Sequence, residues 1–179
     1  MINIFQHTNL YRRRSPAAVV DEMVMLHDTY GVRTFKITDE LFVLNRNHFR
    51  DICHRLVRSG ITKDINIWAY SRTDTVRPDD LPFLRAAGIR WLALGIEAGN
   101  PAVRSGANKA LRGDGSNSSI KWIVDEIRAN GINVIGNYIV GLPDDTIESM
   151  EETYQLAASL NTEFMNVYNH LKTVHTNMG

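Results

Sequence analysis

Leu94-Gly95-Ile96-Glu97-Ala98-Gly99-Asn100 is an apolar strand running into a turn of small and acidic residues, and Asn137-Tyr138-Ile139-Val140-Gly141-Leu142-Pro143-Asp144-Asp145 repeats the arrangement further along. In parallel α/β folds the strands end at one edge, and that edge is where small ligands bind. Two such strand ends in one chain imply one shared site. Working outward, further strands are expected at 33–38, 65–71, 90–96, 133–140 and 163–168, each short and mostly rich in β-branched or aromatic residues. Helical patterns alternate with them, so successive parallel strands must be joined by right-handed crossovers.

The helix signals are local and physical. Ser15 is placed to cap a first helix, with Pro16 at its first position, Val20, Met23, Val24 and His27 along one stripe and Gly31 as its stop. Phe49, Ile52, Cys53, Leu56 and Val57 form the apolar stripe of a second helix ending at Gly60, which places Cys53 in the core as an inert thiol. A third helix starts near Pro78 and stops at Gly88, with Pro82 tolerated in the first turn. A fourth carries Ile120, Ile123, Val124 and Ile127 and ends at Gly131. Asp145 and Glu148 have capping-box spacing ahead of a fifth, whose expected inner side is Ile147, Met150, Tyr154 and Ala157. The long stretch from Gly99 to Asn117 exceeds an ordinary strand-to-helix loop, and a short helix is expected around 101–107.

Bulk properties narrow the classes of function. The 179 residues have 44% hydrophobic content, enough for one sizeable core. Twenty basic and twenty acidic side chains cancel, which argues against nucleic-acid or membrane binding driven by overall charge. No stretch has the apolar length of a membrane span or of a secretory signal, so a cytoplasmic location is expected. The one cysteine, Cys53, excludes an internal disulfide or a multi-cysteine metal site built from this sequence alone.

The strand ends gather acids, a hydroxyl and a guanidinium: Asp39 and Glu40, Ser71 and Arg72 with Asp74, Glu97, then Gly141 to Asp145. Carboxylates accept from ammonium or ribose hydroxyls and arginine grips a carboxylate, so the set suits a zwitterionic small molecule. A structural alternative is a salt bridge between Glu97 and Arg72 on neighbouring strands. A barrel hydrolase or lyase using Asp39, Glu40 and Glu97 as acid, base or metal ligands is a further reading.

Tyr11-Arg12-Arg13-Arg14-Ser15-Pro16, Thr38-Asp39-Glu40-Leu41-Phe42, Ser71-Arg72-Thr73-Asp74, Gly95-Ile96-Glu97-Ala98-Gly99 and Gly141-Leu142-Pro143-Asp144-Asp145 together resemble the core of the radical S-adenosylmethionine (SAM) superfamily. The similarity is to the branch often fused to a cobalamin-binding domain. It implies a partial parallel (βα) barrel over 11–168, with 1–10 a remnant following the cluster loop and 169–179 an irregular tail. It also implies SAM at the strand ends, a [4Fe-4S] cluster that reduces it to a 5′-deoxyadenosyl radical, and a flavodoxin or ferredoxin as reductant. By the same resemblance Glu97 holds the ribose or amino group of SAM and Ser71 and Arg72 face its carboxylate. Asp39 and Glu40 lie near its amino group, and Ile139, Val140 and Gly141 lie against adenine, with Asn137 and Asp144 standing where Gly and Glu are commoner.

The departure is at the cluster. Family members bind it through three cysteines, usually CxxxCxxC, and this sequence offers none of them; His7, His27, His48, His54, His170 and His175 are scattered without ligand spacing. The expectation is therefore a sequence that starts after the first strand and its cluster loop, with an exposed sheet edge beside Phe35 and Ile37 that favours dimerisation or aggregation. The alternative is a cluster-free SAM or nucleotide binder, or an inactive scaffold.

Overall fold

The computed structural model describes residues 13–106 and 116–170. Within them the order is α1 (Pro16–Tyr30), β1 (Thr34–Lys36), α2 (Arg46–Ser59), β2 (Asn66–Arg72), α3 (Leu81–Ala86), β3 (Ile89–Glu97), α4 (Pro101–Gly106), α5 (Asn117–Ala129), β4 (Asn133–Val140), α6 (Ile147–Leu160) and β5 (Phe164–Asn169). The five strands are all parallel and lie in the order of the sequence, so the sheet curls into the expected partial (βα) barrel. Among the described residues β1 pairs only with β2.

Strand alternation divides the sheet into two faces. Ile67, Ala69, Leu92, Leu94, Ile96, Val134 and Tyr138 point to the helical layer, where they meet Phe49, Ile52, Leu56, Leu84, Val124, Ile127 and Leu160 in one continuous core. Phe35 of β1 and Ile37 just beyond its end pack against the same core. The opposite, concave face carries Lys36, Trp68, Tyr70, Arg72, Ala93, Gly95, Asn137, Ile139 and Tyr168. Register lines these up in rows: Lys36, Trp68 and Trp91; then Tyr70, Ala93, Ile135 and Phe164; then Arg72, Gly95, Asn137 and Asn166.

The helix ends follow their sequence signals. Ser15 caps α1 by accepting from the Ala18 N–H, and Gly31 closes it in the left-handed region at φ 68°. Asn45 caps α2 and Gly60 ends it. The third helix is split into a 3-10 turn at Pro78–Asp80 and the short α3, with Pro82 at its second position. Asp80, which is buried, anchors this junction by accepting from Arg46 and Arg50.

Two expectations are corrected. Val57 is exposed, because α2 turns it past the edge of the contact with the sheet. In α6 the cap is Thr146, in a reciprocal capping box with Ser149, while Asp145 accepts from the Leu142 N–H and the Ser149 hydroxyl. That shift rotates the packed face. Ser149, Thr153, Leu156 and Leu160 are buried, whereas Ile147 and Tyr154 face solvent and only Ala157 of the expected stripe packs against the core. The polar residues on this inner face are there to bind backbone, as the site shows.

Denaturant unfolding checks the α6 assignment. Leu156→Ala is expected to cost about 2–5 kcal/mol through lost burial and a residual cavity, and Ile147→Ala to stay within about 0.5 kcal/mol.

Candidate functional site

A cleft of about 600 Å³ opens on the concave face, lined by Lys36, Thr38, Glu40, Leu41, Tyr70, Ser71, Arg72, Ala93, Gly95, Glu97, Asn137, Ile139 and Tyr168. Its floor is low because β3 presents only Ala93 and Gly95 there. A side chain at Gly95 would meet the Glu97 Oε1 at 2.5 Å, so the absence of a Cβ is what lets the Glu97 carboxylate lie back across the strand.

Glu97 is held in a conformation that L-residues seldom adopt. Its φ is 72°, and the Ala98 N–H donates to the Ile96 carbonyl at 3.1 Å, closing a three-residue turn around it. The register between β3 and β4 slips at this point. Such backbone costs roughly 1–3 kcal/mol and persists only where the surroundings enforce it.

Here they do. Arg104, 1% exposed, donates from Nε to the Ala98 carbonyl (2.8 Å) and from Nη2 to the Gly99 carbonyl (3.0 Å) and to Asn117 Oδ1 (2.5 Å). Asn117 Nδ2 also donates to the Gly99 carbonyl. The Gly99 N–H donates to Thr153 Oγ1 of α6 at 2.8 Å, and Thr153 in turn donates to the Ser149 carbonyl. Ala98, Val103 and Leu142, with Ile139 against them, form a small apolar cluster beneath the turn. Burial pulls the Arg104 guanidinium below its usual pKa, and the carbonyls it binds supply the compensating acceptors.

Of the residues expected from the sequence, Glu40, Ser71, Arg72, Glu97 and Ile139 meet in this cleft. Ser71 is buried; its hydroxyl lies 3.0 Å from Thr75 Oγ1, on the strand face shared with Ile67 and Ala69. Arg72 is gripped in a bidentate pair by Asp74, with both N···O distances 2.9 Å, and Asp74 is the partner this geometry fixes for it. Asp39 accepts from the Leu41 N–H and lines a neighbouring cavity with Arg13, Arg14 and His48. Gly141, at φ 78°, and the exposed Asp144 sit at the end of β4, outside the cleft lining.

Lys36, Tyr70 and Tyr168 line the cleft without having been anticipated, although strict alternation along β2 places Tyr70 and Trp68 on the face of Arg72. Arg104, Asn117 and Thr153 were missed for a different reason: they act on the Gly99 turn from 5 to 54 residues away in sequence.

Cys53 lies in α2 on the helical side of the sheet, 1% exposed, and burial pushes its thiol up to about 12. A cluster ligand must be a thiolate, so this residue does not fit the role. Among the described residues no group of three or more His, Cys, Asp or Glu could hold a metal ion. No helix among them is long and apolar enough to cross a membrane.

Residues 4–157 match the radical SAM superfamily. The chain belongs to that superfamily. It is 27% identical to an uncharacterized methyltransferase of Pyrococcus horikoshii over 154 residues, which are 86% of this chain and 32% of the relative. It is 33% identical to the anaerobic magnesium-protoporphyrin IX monomethyl ester cyclase of Rubrivivax gelatinosus over 159 residues, 87% of this chain and 27% of the relative. Its fold matches that of the radical SAM methyltransferase TsrM from Kitasatospora setae, solved with cobalamin and a [4Fe-4S] cluster bound, at a TM-score of 0.79 and 22% identity, over 90% of this chain and 32% of TsrM. The radical SAM match thus spans between about a quarter and a third of the length of these relatives. Radical SAM proteins use SAM together with a [4Fe-4S] cluster, and the TsrM structure adds cobalamin.

Two outcomes check this site. Gly99→Ala drives a Cβ into the Glu152 carbonyl and to 2.6 Å from the Thr153 nitrogen, so a loss of about 2–3 kcal/mol in denaturant unfolding is expected. Cys53 is expected to resist a thiol-disulfide reagent at pH 8 in the folded protein and to react at once when unfolded; prompt reaction of the native protein would show that the thiol is neither buried nor neutral.

Proposed function

We propose that this chain is the SAM-binding core of a radical SAM enzyme whose cluster thiolates come from polypeptide outside these 179 residues. The observation that carries the reading is Glu97, a buried carboxylate held at a strained backbone position over the side-chain-free Gly95, beside Arg72 in one cleft. A carboxylate so placed accepts from an ammonium or from ribose hydroxyls, and the low floor of Ala93 and Gly95 admits a flat base against the sheet. Arg72, oriented by Asp74, supplies positive charge for a carboxylate. Glu40 adds a second acceptor at the rim, and Ile139 and Gly141 an apolar, close-approach surface for adenine. Asp39 and Asp144 complete the proposed set from the flanking turns, and Ser71 braces the end of β2.

Reductive cleavage of SAM to a 5′-deoxyadenosyl radical is the chemistry of the family. Among the described residues no group of His, Cys, Asp or Glu could hold the cluster, and the role proposed for them is binding and orientation of SAM. A flavodoxin or ferredoxin reductant and association with a cobalamin domain belong to the same proposal, the latter supported by the cobalamin in TsrM.

Calorimetry tests the binding half. SAM is expected to bind the 179-residue polypeptide, and Glu97→Gln to weaken it about tenfold or more, the loss of one charge-assisted hydrogen bond. A folded chain with no SAM affinity would overturn the proposal. A second reading, a cluster-free SAM-binding module, is favoured by Cys53 being the one cysteine. Fusing a three-cysteine cluster segment ahead of residue 1 separates the two: 5′-deoxyadenosine forms under strong reductant in the first case and not in the second.

A further inference from the structure

On the β1–β2 side of the cleft lies a feature to which no role toward SAM is assigned above. Lys36 places its Nζ 4.5 Å from the centre of the Trp68 ring and 5.2 Å from that of Tyr70, and the two rings are 5.6 Å apart at 39°. Lys36 and Tyr70 both line the cleft. Among the described residues no carboxylate lies within ion-pair distance of Lys36, whereas the other cation of the lining, Arg72, is committed to Asp74.

An ammonium held against ring faces has no carboxylate or carbonyl acceptor there, so it can turn N–H donors toward an arriving anion. A carboxylate arriving beside Lys36 meets an ammonium that, among the described residues, forms no ion pair, although Glu40 and Glu97 line the same cleft. Beside Lys36, Tyr70 lines the cleft and is paired in register with Ala93, a small residue.

The backbone of Lys36 is in register with Trp68, four residues before Arg72 on β2, a difference of roughly 13 Å along the strand, while its ammonium reaches to 5.2 Å from the Tyr70 ring within the same cleft. With SAM held by Glu97 and Arg72 at the strand ends, the Lys36 side of the cleft is the place for a second molecule.

We infer that Lys36 and Tyr70, backed by Trp68, form the substrate subsite, which takes a flat conjugated or aromatic group bearing a carboxylate: the ring system packs on Tyr70 while the acid binds Lys36. This rests on the reading that SAM occupies the strand ends.

The test uses naphthalene-2-carboxylate and naphthalene-2-carboxamide, titrated into the chain with and without saturating SAM and followed by tryptophan emission. The acid is expected to bind about tenfold tighter than the amide in both conditions, the contribution of one charge-assisted contact. Lys36→Gln removes that preference and leaves amide affinity unchanged, Lys36→Arg keeps it, and neither changes SAM affinity by more than about twofold in calorimetry. Equal affinity for acid and amide in the unaltered chain, or a preference that survives Lys36→Gln, overturns the inference. So does a loss of SAM affinity in Lys36→Gln, which would assign Lys36 to the cofactor. Because the preference is also measured without SAM, failure of the chain to bind SAM counts against the proposed function and not against the subsite.

Discussion

The contact on which the site depends is between Gly99 and the backbone of α6. There is no room for a Cβ between Gly99 and the Glu152–Thr153 peptide, and the Gly99 N–H is taken by the Thr153 hydroxyl. This approach fixes where the chain goes after β3, and therefore where Glu97 must sit. Arg104 and Asn117 then consume the carbonyls that the tight turn leaves exposed. Buried carbonyls without donors would cost about as much as the strain they accompany, so the turn and its ligands stand or fall together.

The same contact explains an otherwise odd helix. α6 buries Ser149 and Thr153 on its inner face, where apolar residues would be the ordinary choice. Each hydroxyl has a backbone or carboxylate partner, with Ser149 serving the cap and Thr153 serving the Gly99 turn. The apolar Ile147 and Tyr154, which a hydropathy reading assigns inward, are left in solvent. A helix can present polar groups to the interior when they satisfy a neighbouring loop, and periodicity of hydrophobicity is blind to that.

The cleft gathers charges held in different ways. Its lining includes the carboxylates Glu40 and Glu97, a guanidinium braced by Asp74 and an ammonium set on aromatic faces. The two cations differ in how they are held. Arg72 is a planar cation oriented by a bidentate carboxylate, while the Lys36 ammonium lies against the Trp68 and Tyr70 rings. That Trp68, Tyr70 and Arg72 share the concave face follows from period-two alternation along β2.

Much of this was legible in the residues themselves. The caps at Ser15 and Gly31, the five short apolar runs and the Glu97-Ala98-Gly99 turn are set by local backbone preference, which needs only near neighbours to express itself. The parallel order of strands follows from their regular alternation with helices. What the fold alone decided is which long-range partner each polar group would find: Asp74 for Arg72, Trp68 for Lys36, Thr153 for Gly99, and the Ala98 and Gly99 carbonyls for Arg104. Those choices turn on strand register and on the rotation of α6, and both are fixed by packing between segments distant in the chain, where no local propensity reaches.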